Sequence, residues 1–78
     1  MWHSFHQKLP EDGQAIATIY NDCSVGSVFR RMGDDLTYME SSARSGDYVR
    51  RGFSIADAVL EFQLWAALPD DFKLWGEK

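Results

Sequence analysis

The chain holds one cysteine, Cys23, and two prolines, Pro10 and Pro69, among 78 residues. A lone thiol excludes a disulfide framework, the usual brace of a small secreted domain, and points to a reducing, cytoplasmic setting. It also excludes a cysteine-rich zinc cage. No apolar run approaches the ~20 residues of a membrane span, and no basic stretch leads into an apolar one at the start. No membrane contact and no secretory signal are therefore expected. Positive charge is scarce: eight Lys and Arg stand against twelve Asp and Glu, for a net charge of −4. An acidic chain is a poor non-specific ligand for the phosphate backbone of nucleic acids. Gly26 and Gly33 lack the following Lys-Ser or Lys-Thr of a phosphate-cradling loop.

What the chain does have is apolar bulk. It is 45% hydrophobic and 14% aromatic, with five Phe, three Trp and three Tyr. This composition is globular, and the length allows a single small domain over residues 1–78. A chain this short buries only about 60% of the surface exposed when unfolded, which leaves homodimerisation open as added support. Charge is unevenly spread. Lys8 against Glu11, Asp12 and Asp22 leaves residues 1–29 acidic, and Lys73 and Lys78 against Asp57, Glu61, Asp70, Asp71 and Glu77 leave residues 52–78 more so. All five arginines, Arg30, Arg31, Arg44, Arg50 and Arg51, fall in between.

Along the chain, Trp2 and Phe5 stand three apart, as on one helical turn or an irregular lead-in with its aromatic side inward. Residues 9–13 (LPEDG) read as a turn. Residues 14–20 (QAIATIY) and 25–31 (VGSVFRR) read as two strands joined through Asn21-Asp22-Cys23-Ser24 into a hairpin. Met32-Gly33-Asp34-Asp35 marks another turn, and residues 36–40 (LTYME) alternate as a third strand. Residues 41–47 (SSARSGD) read as a polar loop, and residues 48–53 are ambiguous. Ser54 with Asp57 three residues on has the look of a helix N-cap. From there the periodicity of Ile55, Ala58, Val59, Phe62, Trp65 and Ala66 supports a helix running to Pro69. The rival reading is a helical turn over 54–59 followed by a strand over 61–67. Residues 69–78 read as a loosely packed tail.

The two ends carry related motifs. Trp2 precedes Leu9-Pro10-Glu11-Asp12-Gly13, and Trp65 precedes Leu68-Pro69. This pattern resembles a family of small phage and prophage proteins of unknown function. They open with a Trp and a Leu-Pro-x-x-Gly segment and close on a Trp-Met-Pro-Leu-Pro type of ending. Here Ala67 replaces the proline two residues after the tryptophan, and Leu64 stands where a histidine often precedes it. The resemblance implies a small sheet whose closing Trp strand lies beside the opening segment, which favours the strand over residues 61–67. It also implies a phage accessory protein that docks on a host enzyme or defence complex. It carries over no catalytic residue.

The remaining residue clusters each have an ordinary explanation. His3 and His6 share a metal-ligand spacing, but three or four ligands are needed and the one cysteine, Cys23, lies far away in sequence. Cys23 sits in a turn with an acid rather than a base beside it, a poor setting for a nucleophile. No cofactor and no metal are expected, and no catalytic residue is assigned. The paired acids Asp34-Asp35 and Asp70-Asp71 point to opposite faces of an extended chain and serve poorly in acid–base work. Together with Phe72 and Trp75 they form the expected partner-binding set, acids beside aromatic anchors.

The expected fold is α+β: a small antiparallel sheet of three or four strands with one helix packed on it. Its expected core is Trp2, Leu9, Ile16, Ile19, Val28, Phe29, Leu36, Val59, Phe62 and Trp65. The expected function is a non-enzymatic, phage-type inhibitor, anti-CRISPR-like in role. Its partner would be a protein or ribonucleoprotein complex in the host cytoplasm. The alternative is a small regulator that contacts nucleic acid through Arg30, Arg31, Arg44, Arg50 and Arg51.

Overall fold

A computed structural model describes residues 1–42 and 44–78. Ala43, within the expected polar loop 41–47, lies outside the described residues. The elements run β1 (Trp2–Ser4), β2 (Ala15–Tyr20), β3 (Val25–Met32), β4 (Asp35–Ser41), β5 (Tyr48–Ser54), α1 (Ile55–Glu61) and β6 (Phe62–Ala67). The strands form one antiparallel sheet in the order β1-β6-β2-β3-β4-β5. The α+β class stands, with six strands in place of the expected three or four. Strands β2 to β5 form a meander. The chain then crosses one face as α1 and returns as β6, which slots between β1 and β2.

Helix α1 begins where the sequence places it. Ser54 caps it, with its Oγ accepting from the Asp57 amide at 3.2 Å. This cap contributes about 1 kcal/mol. The helix stops after Glu61, although the apolar period continues through Trp65. A seven-residue helix is too short to persist without tertiary support. From Phe62 onward the backbone instead finds two partners. Trp2↔Ala66 to Ser4↔Leu64 form one ladder and Ile16↔Ala67 to Tyr20↔Phe62 the other. Bonding on both edges outweighs the local helical period.

Strand alternation sorts the side chains. The face beneath α1 carries Ile16, Phe29, Leu36 and Trp65, which form one buried cluster with Phe5, Phe62, Ile55 and Ala58. Phe29 meets Phe53 and Phe62 edge-on, with ring centroids 5.3 and 5.6 Å away. Such pairs add about 0.5–1.5 kcal/mol each beyond the area they bury. Thr18 is buried on the same face and donates from Oγ1 to the Ser27 carbonyl at 2.7 Å. There the register between β2 and β3 shifts, from Ala17↔Val28 to Ile19↔Val25. Gly26 makes this bulge fit: a Cβ on it would lie 2.3 Å from Thr18 Oγ1 and 3.1 Å from the Phe62 ring. Gly26→Ala is expected to destabilise the domain by about 1–3 kcal/mol. A urea midpoint unchanged from wild type would show that the bulge relaxes freely.

Several core expectations need correction. Trp2, Leu9 and Val28 are exposed, and Ile19 and Val59 are only partly buried. Trp2 pairs with Ala66, so His3 and not Trp2 shares Trp65's face, its ring 4.6 Å from the indole. Phe5 takes the inward position instead. Val28 alternates with Phe29 and so points away from the helix face. The two ends of the chain do meet, through other atoms: Trp65 Nε1 donates to the Lys8 carbonyl at 2.8 Å, and Pro10 is fully buried. No helix is long and apolar enough to cross a membrane among the described residues.

Candidate binding cleft between β3 and β4

The tight turn at Gly33-Asp34 starts a hairpin that does not stay closed. Gly33 takes φ +62°, and its amide donates to Asp12 Oδ1 at 2.7 Å. From this turn β3 and β4 pair only as Met32↔Asp35, Arg31↔Leu36 and Arg30↔Thr37. Beyond that point each strand follows its other neighbour. β3 continues along β2 to Ile19↔Val25, and β4 continues along β5 to Ser41↔Tyr48. The sheet therefore forks within its own interior.

A cavity of about 580 Å³ occupies the fork, within the roughly 300–1,000 Å³ typical of ligand pockets. Ser27, Val28 and Phe29 line its β3 side, and Tyr38 and Met39 its β4 side. Phe53 lies behind, and Leu74 and Trp75 of the C-terminal segment cover one flank.

The fork also leaves backbone groups without ladder partners. The Arg31 amide donates to the Gln14 carbonyl and its carbonyl accepts from Gly13, so Arg31 and, two residues on, Phe29 face β2. Val28, between such positions, turns its amide and carbonyl into the fork. The Ser42 amide donates to the Asp47 carbonyl, so the even-numbered residues of β4 face β5. Met39 then presents its amide and carbonyl to the fork from the other side. Among the described residues, the β3–β4 ladder does not extend past Arg30↔Thr37, and Val28 and Met39 pair only outward, with Ala17 and Arg50.

The C-terminal segment, expected to be loose, is pinned at the apex of the fork. The Glu77 side chain is 5% exposed and receives a two-pronged bond from Arg30, Nε to Oε2 and Nη2 to Oε1, both at 2.9 Å. Arg50 Nη2 donates to Oε2 at 2.7 Å and the Leu74 amide to Oε1 at 2.8 Å. These donors, Arg30 foremost, hold the Glu77 carboxyl at about 2, well below its ordinary 4.5. Arg30 also donates to the carbonyls of Phe72 and Gly13, both at 2.7 Å. Arg50 Nη1 reaches Thr37 Oγ1, which donates to the Arg30 carbonyl where the β3–β4 ladder ends. Leu74 is buried, and Trp75 Nε1 bonds the Tyr48 hydroxyl. Gly76 takes φ +92° against the Tyr48 ring, where a Cβ would lie 2.5 Å from ring carbon.

The expected partner-binding residues divide between two places. Trp75 lies at the cleft and is 82% exposed. Phe72 is half-buried, its carbonyl taken by Arg30. The four aspartates are exposed and lie at the other end of the sheet. Asp34 lies in the β3–β4 turn and Asp35 opens β4, while Asp70 and Asp71 follow β6, with Asp70 beside Glu11, Asp12 and Gly13. The Asp34 carbonyl accepts from the Ile55 amide, which ties that turn to the start of α1.

The arginines are largely occupied by the fold. Arg30 and Arg50 hold Glu77, and Arg31 donates to the carbonyls of Pro10 and Gly33. Arg51 pairs with Glu40 at 3.1 Å across an exposed surface, and Arg44 is exposed. Glu77, Tyr48 and the Val28 and Met39 edges carry no sequence signal. Glu77 lies 47 residues from Arg30 and 27 from Arg50, beyond the reach of any periodicity.

Cys23 is exposed in the β2–β3 turn at φ +69°. Among the described residues no three His, Cys, Asp or Glu side chains converge as metal ligands. No family model, no curated protein and no solved structure matches this chain.

Proposed function

We propose that this chain is a non-enzymatic binding protein that docks on a macromolecular partner through the β3–β4 cleft. The observation that carries this reading is the fork itself: an aromatic-floored cavity inside a sheet, with Trp75 standing 82% exposed at its rim. An exposed tryptophan is costly to keep in water and is the residue most enriched at interface hot spots. Tyr38 and Tyr48 are partly exposed nearby and supply the same kind of contact. The wider setting is a phage-type accessory protein that inhibits or redirects a host protein or ribonucleoprotein complex. It rests on the resemblance of the two chain ends. The acidic end, with Asp34, Asp35, Asp70 and Asp71, supports a second contact to a basic surface of the same partner.

Affinity capture from bacterial lysate tests the reading, using wild type, Trp75→Ala, and an Asp70→Lys/Asp71→Lys double variant. Trp75→Ala is expected to lower partner recovery at least tenfold, the size of a hot-spot truncation. The double variant should reduce recovery less and make it less sensitive to salt, as rim charges do. Equal recovery by wild type and Trp75→Ala, or recovery of nothing, would overturn it.

A further inference from the structure

The cleft's occupant follows from the groups that line it. We infer that the fork accepts an extended peptide segment of a partner protein, which enters as an additional strand between β3 and β4. This rests on the cleft reading above and adds the partner's backbone conformation.

Three observations carry it. First, both walls are strand edges. Val28 on one side and Met39 on the other turn an amide and a carbonyl inward, and among the described residues the two are not paired across the fork. One peptide in extended conformation satisfies both edges at once, because successive residues of a strand offer their donors and acceptors to opposite sides. A helix bonds its own backbone internally and would satisfy neither.

Second, the sheet protects its outer edges and not this one. β1 is only three residues long, and β5 carries Arg50 and Arg51. Short and charged edges are the usual defences against unwanted pairing. The edges in the fork carry Val28, Tyr38 and Met39, and β3 runs on to Val25, which is 82% exposed.

Third, the cavity is floored with rings. Phe29 and Tyr38 meet edge-on at 6.2 Å, with Phe53 behind. Alternate side chains of an inserted strand would fall on the two faces of the sheet. One set would reach this aromatic floor, and the other would lie on the opposite face, which carries Arg30, Thr37 and Arg50. The expected ligand therefore has apolar residues, β-branched or aromatic, at every second position.

The probe is a library of random nine-residue peptides displayed on phage, selected on the immobilised full chain. Selected sequences are expected to alternate apolar and polar residues. Synthetic copies N-methylated at every second amide lose, in either frame, the donors to one of the two edges and should bind at least tenfold more weakly. On the protein, Val28→Pro removes one donor that faces the fork and leaves the Phe29 bonds to β2 intact. It should cost a similar factor while the circular dichroism spectrum and thermal midpoint stay near wild type. If Val28→Pro fails to fold, the N-methylated peptides carry the test unaided.

Selection of helical or patternless peptides, indifference to N-methylation, or no selection at all would overturn the inserted-strand inference. So would a dimer in sedimentation that dissociates on Val28→Pro, since the occupant would then be a second copy. The cleft reading survives these failures if Trp75→Ala still abolishes partner capture, and falls if it does not.

Discussion

Trp65→Ala is expected to remove most of the stability of the domain. Trp65 is 1% exposed and lies in β6, opposite His3 of β1 and Thr18 of β2. Its ring packs near His3 and Phe5, with centroids 4.6 and 6.4 Å away. Truncating a buried Trp costs about 3–5 kcal/mol in lost transfer energy and residual cavity. The change also frees the Lys8 carbonyl, now bonded to Nε1 at 2.8 Å, at about 1 kcal/mol more. A domain of this size holds roughly 5–10 kcal/mol in all. Urea unfolding followed by circular dichroism should place the midpoint far below wild type. Trp65→Phe separates the two terms, since it keeps most of the bulk and loses the bond. Fluorescence gives an independent reading: Trp2 and Trp75 are exposed, so loss of Trp65 removes the one buried indole and moves emission to the red. A loss below about 1 kcal/mol for Trp65→Ala would show that the closing strand does not depend on this side chain.

Glu77→Gln is the second large effect, and it depends on pH. The carboxylate accepts four bonds: two from Arg30, one from Arg50 and one from the Leu74 amide. The amide keeps the shape, loses the charge, and leaves two partly buried guanidinium groups without their counter-ion. The expected cost at neutral pH is about 2 kcal/mol, a shift of roughly 8–16 °C in the thermal midpoint of so small a domain.

The sign of the pH dependence follows from the folded pKa of about 2 against the ordinary 4.5. A depressed carboxylate favours the folded state fully above the unfolded value and loses that contribution as pH falls toward the folded one. The gap in midpoint between wild type and Glu77→Gln should therefore be constant above about pH 5 and close between about pH 4.5 and 2. Asp22 is also held low, by the Ser24 hydroxyl and amide, but it is present in both proteins and cancels in the difference. A gap that stays open at pH 2 would show that the carboxylate's charge is not what pins the C-terminal segment. Loss of the pin should also release Leu74 and Trp75 from the cleft. Glu77→Gln is thus expected to weaken cleft binding although Glu77 itself does not line the cleft.

Much of the local structure was legible in the sequence. The β2–β3 hairpin, the β4 strand and the Ser54 cap follow from alternation, turn residues and a capping pair, all read over a few residues. Ile16, Phe29, Leu36, Phe62 and Trp65 were legible as core because each is large, apolar and set in a periodic stretch. The helix end was not: Phe62 and Trp65 suit a helical face as well as a strand. The choice rests on β1 and β2, some 45–60 residues away in sequence, offering two ladders. Trp2 was misplaced for a related reason. Its composition says core, but the Trp2↔Ala66 register turns it to the opposite face from Trp65, and register is a property of the pair of strands.

By itself, then, the sequence determined the class of the molecule, its β2–β3 hairpin, its helix start and most of its buried aromatics. These depend on interactions between near neighbours and on simple burial. The tertiary structure alone decided the position of β6, the fork between β3 and β4, and the pinning of the C-terminal segment by Glu77. Each is a competition between distant partners. β4 stays with β5 and parts from β3, and Arg30 and Arg50 of two different strands close on one carboxylate. No short-range pattern encodes the outcome, because the winning contacts exist only once the sheet has formed.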